Sequence, residues 1–326
     1  MEFWPPAFAL GPSLAAALWL ALVVDRWFGE PPVRWHPVVW MGHYLGWMGR
    51  RIAPPATQTG QGADITRFVC GALAWSLGAV GVGLVAFLVQ QTLLSWHAWA
   101  AAVLLGLLLK PLLAWRMLRD EVQAVEAALQ TSLESGRSQL ARLVSRDVSQ
   151  LDASQVRESA IESLAENLND SLVAPLFWFA LLGLPGAALY RYANTADAMW
   201  GYRGLREGRD WTWAGKWAAR ADDVLSWLPA RLTALLLALV RGGLSWRVLR
   251  AHAPRTPSPN SGWPMAAMAL ALDVRLSKPG VYVLHEAGRA PQAADSTRAV
   301  QLGERVVLLL AVLLGATLML LGENHA

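Results

Sequence analysis

Residues 68–89 read FVCGALAWSLGAVGVGLVAFLV, an unbroken apolar run without a single charge. A helix rises about 1.5 Å per residue, so roughly 20 such residues cross a hydrocarbon core of about 30 Å. Three further stretches, approximately 8–24, 98–113 and 306–321, are also long and apolar enough, the second carrying one charge at Lys110. The composition agrees with a chain that uses a bilayer as part of its solvent. Hydrophobic residues make up 55% of 326 positions and charged residues only 16%, with a mean hydropathy of +0.32. A soluble chain carries about a quarter charged residues. Tryptophan is frequent, at 18, and several (Trp4, Trp19, Trp96, Trp99, Trp115) stand near the ends of apolar runs, where amphipathic rings settle at the headgroup level.

The first run is not a cleavable signal peptide: no basic region precedes it, and Asp25 follows without a small-residue cleavage pattern. Two further apolar segments are irregular. Residues 172–190 contain Pro175, Gly183, Pro185 and Gly186, and residues 224–240 contain Pro229 and Arg231. Basic residues crowd the loops after the first span and after residue 113, while the connection 90–97 and the tail after Leu321 have no Lys or Arg. This asymmetry predicts both termini outside and the long loops in the cytoplasm. If both irregular segments crossed fully, a basic loop (Arg203, Arg206, Arg209, Lys216) would face outside. Broken or re-entrant segments remove the conflict, because irregular backbone is tolerated at depth where protein or water covers it. The expected fold is an all-α polytopic membrane protein. It has about four full transmembrane helices, two broken or re-entrant intramembrane segments and cytoplasmic amphipathic helices, one of them at 123–140. It forms one integral membrane domain (1–326) with cytoplasmic loops at about 25–67, 114–171, 191–223 and 241–305. The single cysteine, Cys70, reads as a small buried hydrophobe. The modest net charge of +4, with no basic stripe interleaved with aromatics, gives no support for nucleic-acid binding.

The chemistry concentrates in residues 157–170, RESAIESLAENLND. At about 100° per residue, Glu158, Glu162, Glu166 and Asp170 fall within about 120° of one another, opposite Ile161, Leu164, Ala165 and Leu168. Like charges at i,i+4 repel, and the stripe holds no Lys or Arg at i±4, so something positive should compensate it. Hydrated Mg²⁺ takes one or two carboxylates plus substrate phosphates, leaving other carboxylates for general-base work. The alternative is a solvated acidic face; the broken apolar segment just downstream favours a site.

Other polar clusters lie in the remaining loops. Asp25-x3-Gly-Glu30-Pro-Pro-x3-His36-Pro also reads as a Pro-stiffened turn. Asn194-Thr195-x-Asp197 also reads as a helix cap. Arg220-x-Asp222-Asp223 precedes Arg231, and an arginine at membrane depth marks function by default. Asn260-Ser261-Gly-x-Pro opens a small-residue helix, and Lys278-Pro-Gly-x-Tyr282 follows. A loop and helix start of this kind can offer backbone N–H groups to phosphate. There is no GxxxxGK[ST] loop, HExxH, CxxC or GxSxG.

Taken in order, Glu162-Ser-x-Ala-Glu166-Asn167-x-x-Asp170-x3-Ala-Pro-x-Phe, Gly183-x-Pro-Gly, Asn194-Thr195-x-Asp197, Ala-Arg220-x-Asp222-Asp223, Pro-Ala-Arg231 and Asn260-Ser261-Gly-x-Pro-Met-Ala resemble the cobalamin-biosynthesis CobD/CbiB family of adenosylcobinamide-phosphate synthases. Asp25…Glu30-Pro-Pro…His36-Pro-Val matches a further signature, and the resemblance spans nearly the whole chain. Ala198 and Ser226 depart from it, standing where Ser and Asn are usual.

The resemblance implies an inner-membrane enzyme that joins adenosylcobyric acid to (R)-1-aminopropan-2-ol or its O-phosphate, using ATP and Mg²⁺. It implies Glu162, Glu166 and Asp170 as catalytic carboxylates and metal ligands, with Arg220 and Asp223 beside them in catalysis. Substrate binding would fall to Asp25, Glu30, His36, Asn167, Asn194, Thr195, Asp197, Asp222, Arg231, Asn260, Ser261 and Lys278. Of these, Arg231 and Lys278, together with Arg220, would serve phosphate. Partners would be the corrinoid and amino-alcohol substrates and the bilayer, with self-association or a complex with other late cobalamin enzymes left open. A broken-helix transporter and a non-catalytic membrane signalling modulator are the competing classes.

Overall fold

A computed structural model describes residues 11–58 and 63–323. In chain order its helices are α1 (Gly11–Phe28), α2 (Pro37–Ile52), α3 (Ile65–Leu94), α4 (Ala98–Leu109), α5 (Trp115–Thr131), α6 (Leu133–Leu140), α7 (Ala153–Leu168), α8 (Ala174–Leu182), α9 (Leu184–Trp200), α10 (Lys216–Arg241), α11 (Trp246–His252), α12 (Gly262–Leu272) and α13 (Ala293–Glu323). Two short antiparallel hairpins, β1/β2 (Leu205–Arg206, Arg209–Asp210) and β3/β4 (Leu276–Lys278, Tyr282–Leu284), complete it. The protein is therefore all-α in its framework.

Among the described residues four helical stretches are long and apolar enough to cross a membrane: Ile65–Leu94, Ala98–Thr131, Lys216–Arg241 and Ala293–Gly322. The second is interrupted by a 3-10 turn at Lys110–Leu112 and by extended backbone at Leu113 before α5 begins. On α3, Leu73, Leu77, Val80, Leu84 and Leu88 are all exposed at helical spacing, an apolar stripe that suits lipid and not water.

The expected number of spans is met, with different members. The helix at 11–28 is outside this set over its described residues, and the expected start at Phe8, like Trp4, lies outside those residues. The segment 224–240, expected to be broken, instead lies within the continuous α10. Pro229 lacks an N–H and should orphan the carbonyl of Leu225 four residues earlier. The Trp178 indole N–H takes up that carbonyl at 3.1 Å, so the helix runs on. The other irregular segment is broken. A π turn at Asn169–Val173 precedes α8, and the chain reverses at Gly183, whose φ of 70° is open to glycine. The first N–H of α9, from Leu184, is capped by the buried Gln90 side chain at 2.7 Å.

Three smaller expectations are corrected. The helix expected at 123–140 is two, α5 and α6, parted at Ser132, which adopts extended backbone and caps α6 through the Ser135 N–H. Cys70 is exposed on α3 and not buried, a position where lipid solvates a thiol. Trp115 turns inward and is only 4% exposed, its ring filling the space beside Gly303.

The chain forms two compact units. The first comprises Met1–Leu113, Ala174–Leu225 and Leu314–Ala326. Within it α1 packs on α4, with Gly106 against the Ala17 carbonyl, and α3 packs on α9, with Gly78 under the Tyr192 ring. The second comprises Ala114–Val173 and Ser226–Leu313. Here α7 packs on α5, α6, α12 and β3. Arg157 holds Glu126 with two hydrogen bonds (2.9 and 2.8 Å), and Ser296 donates a third to the same carboxylate at 3.1 Å.

Candidate functional site

In the second unit the acidic helix begins with a reciprocal cap. The Asp152 side chain accepts from the Gln155 N–H and the Gln155 side chain from the Asp152 N–H, both at 2.9 Å. From there Glu158 and Glu162 fall on the buried side of α7, at 0% and 4% exposure. Their compensating charge comes from elsewhere in the chain. Glu158 accepts from Ser277 on β3 and lies 3.5 Å from Arg275. Glu162 accepts from Arg146 at 3.0 Å, and the same guanidinium also reaches Ser159. Both positive partners sit among many arginines outside the apolar runs, so nothing in the sequence singled them out.

The other oxygen of Glu162, Oε1, is buried without a hydrogen-bond partner. Burial holds its carboxyl above the usual carboxylate range even though Arg146 acts against it. Tyr282 on β4 lies close enough to feel Glu162, although its hydroxyl is directed to Met265 Sδ at 3.8 Å. Burial first, and then Glu162 and Glu166, push the Tyr282 phenol up, so it stays protonated.

The α-helical register holds through Leu168 and then widens into the π turn, a feature frequent at functional sites. Asn169 donates to Asp170 at 2.8 Å, and the Thr233 hydroxyl on α10 lies 3.1 Å from Asn169 Oδ1. Asn169 shares the face of the acidic stripe in helical projection, but its partner Thr233 is remote in sequence and gives it no visible role there. Glu166 and Asp170 are half-buried, while Asn167 bonds back to the Ser163 carbonyl at 3.0 Å.

Arg231 packs against Trp227 and Trp263, its guanidinium carbon 4.4 and 4.9 Å from the ring centres. It donates to the carbonyls of Trp227 (2.7 Å) and Pro259 (3.3 Å) and to Asn260 Oδ1 (2.8 Å). Three of five N–H donors are thus engaged, two of them in fixing the loop that leads through Ser261 into α12. Lys278 stands on β3 opposite Tyr282.

In the first unit Pro31, Pro32 and a 3-10 turn at Val33–Trp35 bring His36 back to Glu30, Nε2 to Oε2 at 3.1 Å. Lys110, only 3% exposed, reaches Glu30 Oε1 at 2.9 Å and Asp25 Oδ1 at 3.4 Å. Burial works to raise the Glu30 carboxyl, but His36 and Lys110 outweigh it and hold it below the usual range. Lys110 carried a sequence signal that was not used: a lone cation at the end of an apolar run, followed by Pro111. On α9, Arg191 donates to Asn194 Oδ1 (3.3 Å), Asn194 to Asp222 Oδ1 on α10 (3.5 Å), and Thr195 to the Arg191 carbonyl (2.6 Å). The Asp197 carbonyl accepts from the Gly201 N–H at 2.7 Å. Arg220 is exposed and Asp223 half-buried. Among the site residues of each unit, then, the fold joins Asp25, Glu30 and His36, joins Asn194 with Asp222, and joins Arg231 with Asn260.

Among the described residues no three His, Cys, Asp or Glu side chains converge as a metal cage. A buried carboxylate with one unpartnered oxygen suits Mg²⁺ carried mainly by water and phosphate, where one or two protein ligands suffice.

Comparison with known proteins follows the same stretches. The family described as "CobD/Cbib protein" matches residues 18–308. A probable cobalamin biosynthesis protein CobD of Methanothermobacter thermautotrophicus is 41% identical over 278 residues, covering 83% of this chain and 87% of the relative. The cobalamin biosynthesis protein CobD of Chromobacterium violaceum is 39% identical over 323 residues, covering 94% and 97%. That of Brucella suis is 38% identical over 280 residues, covering 81% of each. No solved structure matches the chain. The matched region takes in the acidic helix, the π turn, the Asn194 and Arg231 clusters and the Glu30 turn, and the chain belongs to the CobD/CbiB family.

Proposed function

We propose that this protein forms the amide bond between adenosylcobyric acid and (R)-1-aminopropan-2-ol or its O-phosphate, at the expense of ATP, on the cytoplasmic side of the inner membrane. The observation that carries the reading is Glu162, a buried carboxylate held by Arg146 with its second oxygen unpartnered, beside Glu166 and a π turn bearing Asp170. Membership of the CobD/CbiB family and relatives named for cobalamin biosynthesis support the pathway.

A carboxylate does not accept an amine unaided at neutral pH. Transfer of the terminal phosphoryl group of ATP to the corrinoid carboxylate gives an acyl phosphate and ADP. The amine then attacks the acyl carbon, phosphate leaves, and the ammonium proton passes to a base. Mg²⁺ bound by one or two of Glu162, Glu166 and Asp170 would neutralise phosphate charge. Arg146 holds Glu162 Oε2 at 3.0 Å, and its charge acts against the burial that raises this carboxyl. Glu166 and Asp170, each partly open to solvent, are the candidates to take the amine proton. Arg231 orders the Asn260–Ser261 loop ahead of α12, where the Asn260 and Ser261 N–H groups donate to the Ser258 hydroxyl at 3.2 and 3.4 Å.

The test is to supply membranes containing the protein with ATP, Mg²⁺, adenosylcobyric acid and each amine separately, and to identify products by mass. An amide product with one or both amines is expected. Its absence with both overturns the reading, and saturable uptake of a corrinoid into vesicles without product would favour a transporter.

A further inference from the structure

We propose that the first unit carries a phosphate-binding pocket separate from the residues considered above. A cavity of ≈ 340 Å³ opens between the end of α2, the end of α9 and the β1/β2 hairpin, lined by Arg50, Arg206 and Arg209 over a floor that includes Trp200 and Trp211. That volume is within the range of small-ligand sites, about 300–1,000 Å³.

Three guanidiniums around one cavity repel one another unless an anion joins them. Among the described residues neither Arg50 nor Arg209 has a carboxylate within ion-pair distance. The one acid in the lining, Glu207, is 3.8 Å from Arg206 and 85% exposed, a contact too long and too wet to neutralise the site. The pocket therefore keeps an excess of positive charge.

Two of the three arginines are already oriented. Arg209 donates through Nη1 to the Ala53 carbonyl at 2.6 Å, which leaves its remaining N–H edge available. Arg206 lies 3.7 Å over the Tyr202 ring, a stacking that fixes the plane while leaving the in-plane donors open. Oriented, unpaired guanidiniums are what bidentate phosphate recognition requires. The floor is rigid as well. Trp200 and Trp211 stack at 6.2 Å and 17°, Trp200 donates to the Leu45 carbonyl at 3.2 Å, and Gly49 leaves room for both rings. The hairpin carrying two of the arginines turns through Glu207 and Gly208, both at positive φ.

The phosphate could belong to a soluble phosphate ester or to an anionic phospholipid. Trp40 and Trp47, exposed on α2 with Arg51 stacked on Trp47, make the second source chemically reasonable. The inference does not rest on amide synthesis, since binding is read without turnover.

The experiment uses the full-length protein with Arg50→Gln, Arg209→Gln and, as a control on an exposed arginine of the second unit, Arg142→Gln. In one arm, delipidated protein in neutral detergent is titrated with inorganic phosphate at constant ionic strength and its thermal unfolding followed. In the other, nanodiscs of phosphatidylcholine alone or mixed with phosphatidylglycerol are compared by native mass spectrometry for retained lipid. Arg50 is exposed at the end of α2, so its variant should fold even if Arg209→Gln does not. Saturable stabilisation by phosphate, weakened about tenfold by Arg50→Gln and unchanged by Arg142→Gln, supports a soluble ligand. Retention of phosphatidylglycerol that Arg50→Gln abolishes, without a phosphate response, supports the lipid source. Neither response, or one equal in Arg50→Gln and Arg142→Gln, overturns the proposal.

Discussion

Replacing Arg146 by Ala would leave the Glu162 carboxylate buried with no cation beside it. The side chains are 18% and 5% exposed, so solvent screens the pair little. Removing one member of a buried pair typically costs about 3–5 kcal/mol. Glu162 has an escape, because it can take a proton instead. From an ordinary value of 4.5 to pH 7 is about 2.5 units, and at 1.36 kcal/mol per unit that route costs about 3.4 kcal/mol. Protonation therefore caps the penalty, and because burial already raises the Glu162 carboxyl in the parent, Arg146→Ala should destabilise the protein by less than about 3.4 kcal/mol at pH 7. In a Glu162→Gln background there is no charge to strand, and the same substitution should cost about 1 kcal/mol, the price of the contact with Ser159. A double-mutant cycle read by reversible urea or thermal unfolding in detergent measures the difference, a coupling of up to about 2 kcal/mol. Additive costs, with coupling under about 0.5 kcal/mol, would refute the claim that Arg146 compensates Glu162.

Other outcomes follow from the same reasoning. Gly183→Ala places a Cβ at positive φ against the Gln90 side chain and should lower stability by at least about 2 kcal/mol in thermal unfolding, with Gln90→Ala costing about 1 kcal/mol through the lost cap. Trp178→Phe removes the donor to the Leu225 carbonyl and should cost about 1–2 kcal/mol, yet distinctly less in a Pro229→Ala background, where the helix regains its own N–H. Equal costs in the two backgrounds would contradict the explanation for the unbroken α10. The Glu30 carboxyl is held below its ordinary 4.5, so its stabilising contribution is present above that pH and is lost as pH falls through the lower folded value. Unfolding midpoints should therefore fall more steeply below about pH 4.5 in the parent than in Glu30→Gln.

Much of this was legible in sequence because it depends on local spacing. The run 68–89 is apolar at every turn, so no tertiary knowledge was needed to see a span. The acids of α7 repeat every four residues, so their shared face followed from helical geometry alone. What escaped depended on distant partners. Pro229 looked like a break because its relief comes from Trp178, a residue of another helix. The π turn depends on side chains such as Asn169, whose partner Thr233 is on α10, and ideal 100° spacing cannot foresee it. Arg146 and Arg275 were hidden among the many arginines of the stretches between the apolar runs, and their partners are remote in sequence. Lys110 was hidden differently, lying inside the apolar run 98–113 when it is a buried cation held by two carboxylates, Asp25 and Glu30, with His36 on the second of them.

The central claim, activation of a corrinoid carboxylate for attack by an amine, is tested most directly by isotope transfer. Adenosylcobyric acid labelled with ¹⁸O in its free carboxylate is turned over with ATP, Mg²⁺ and the accepted amine, and the released phosphate is analysed by mass. Transfer of one labelled oxygen to phosphate, with the rate of transfer collapsing in Glu162→Gln protein that still inserts and folds, is the predicted result. Amide product accompanied by unlabelled phosphate, or full activity in Glu162→Gln, would contradict the account.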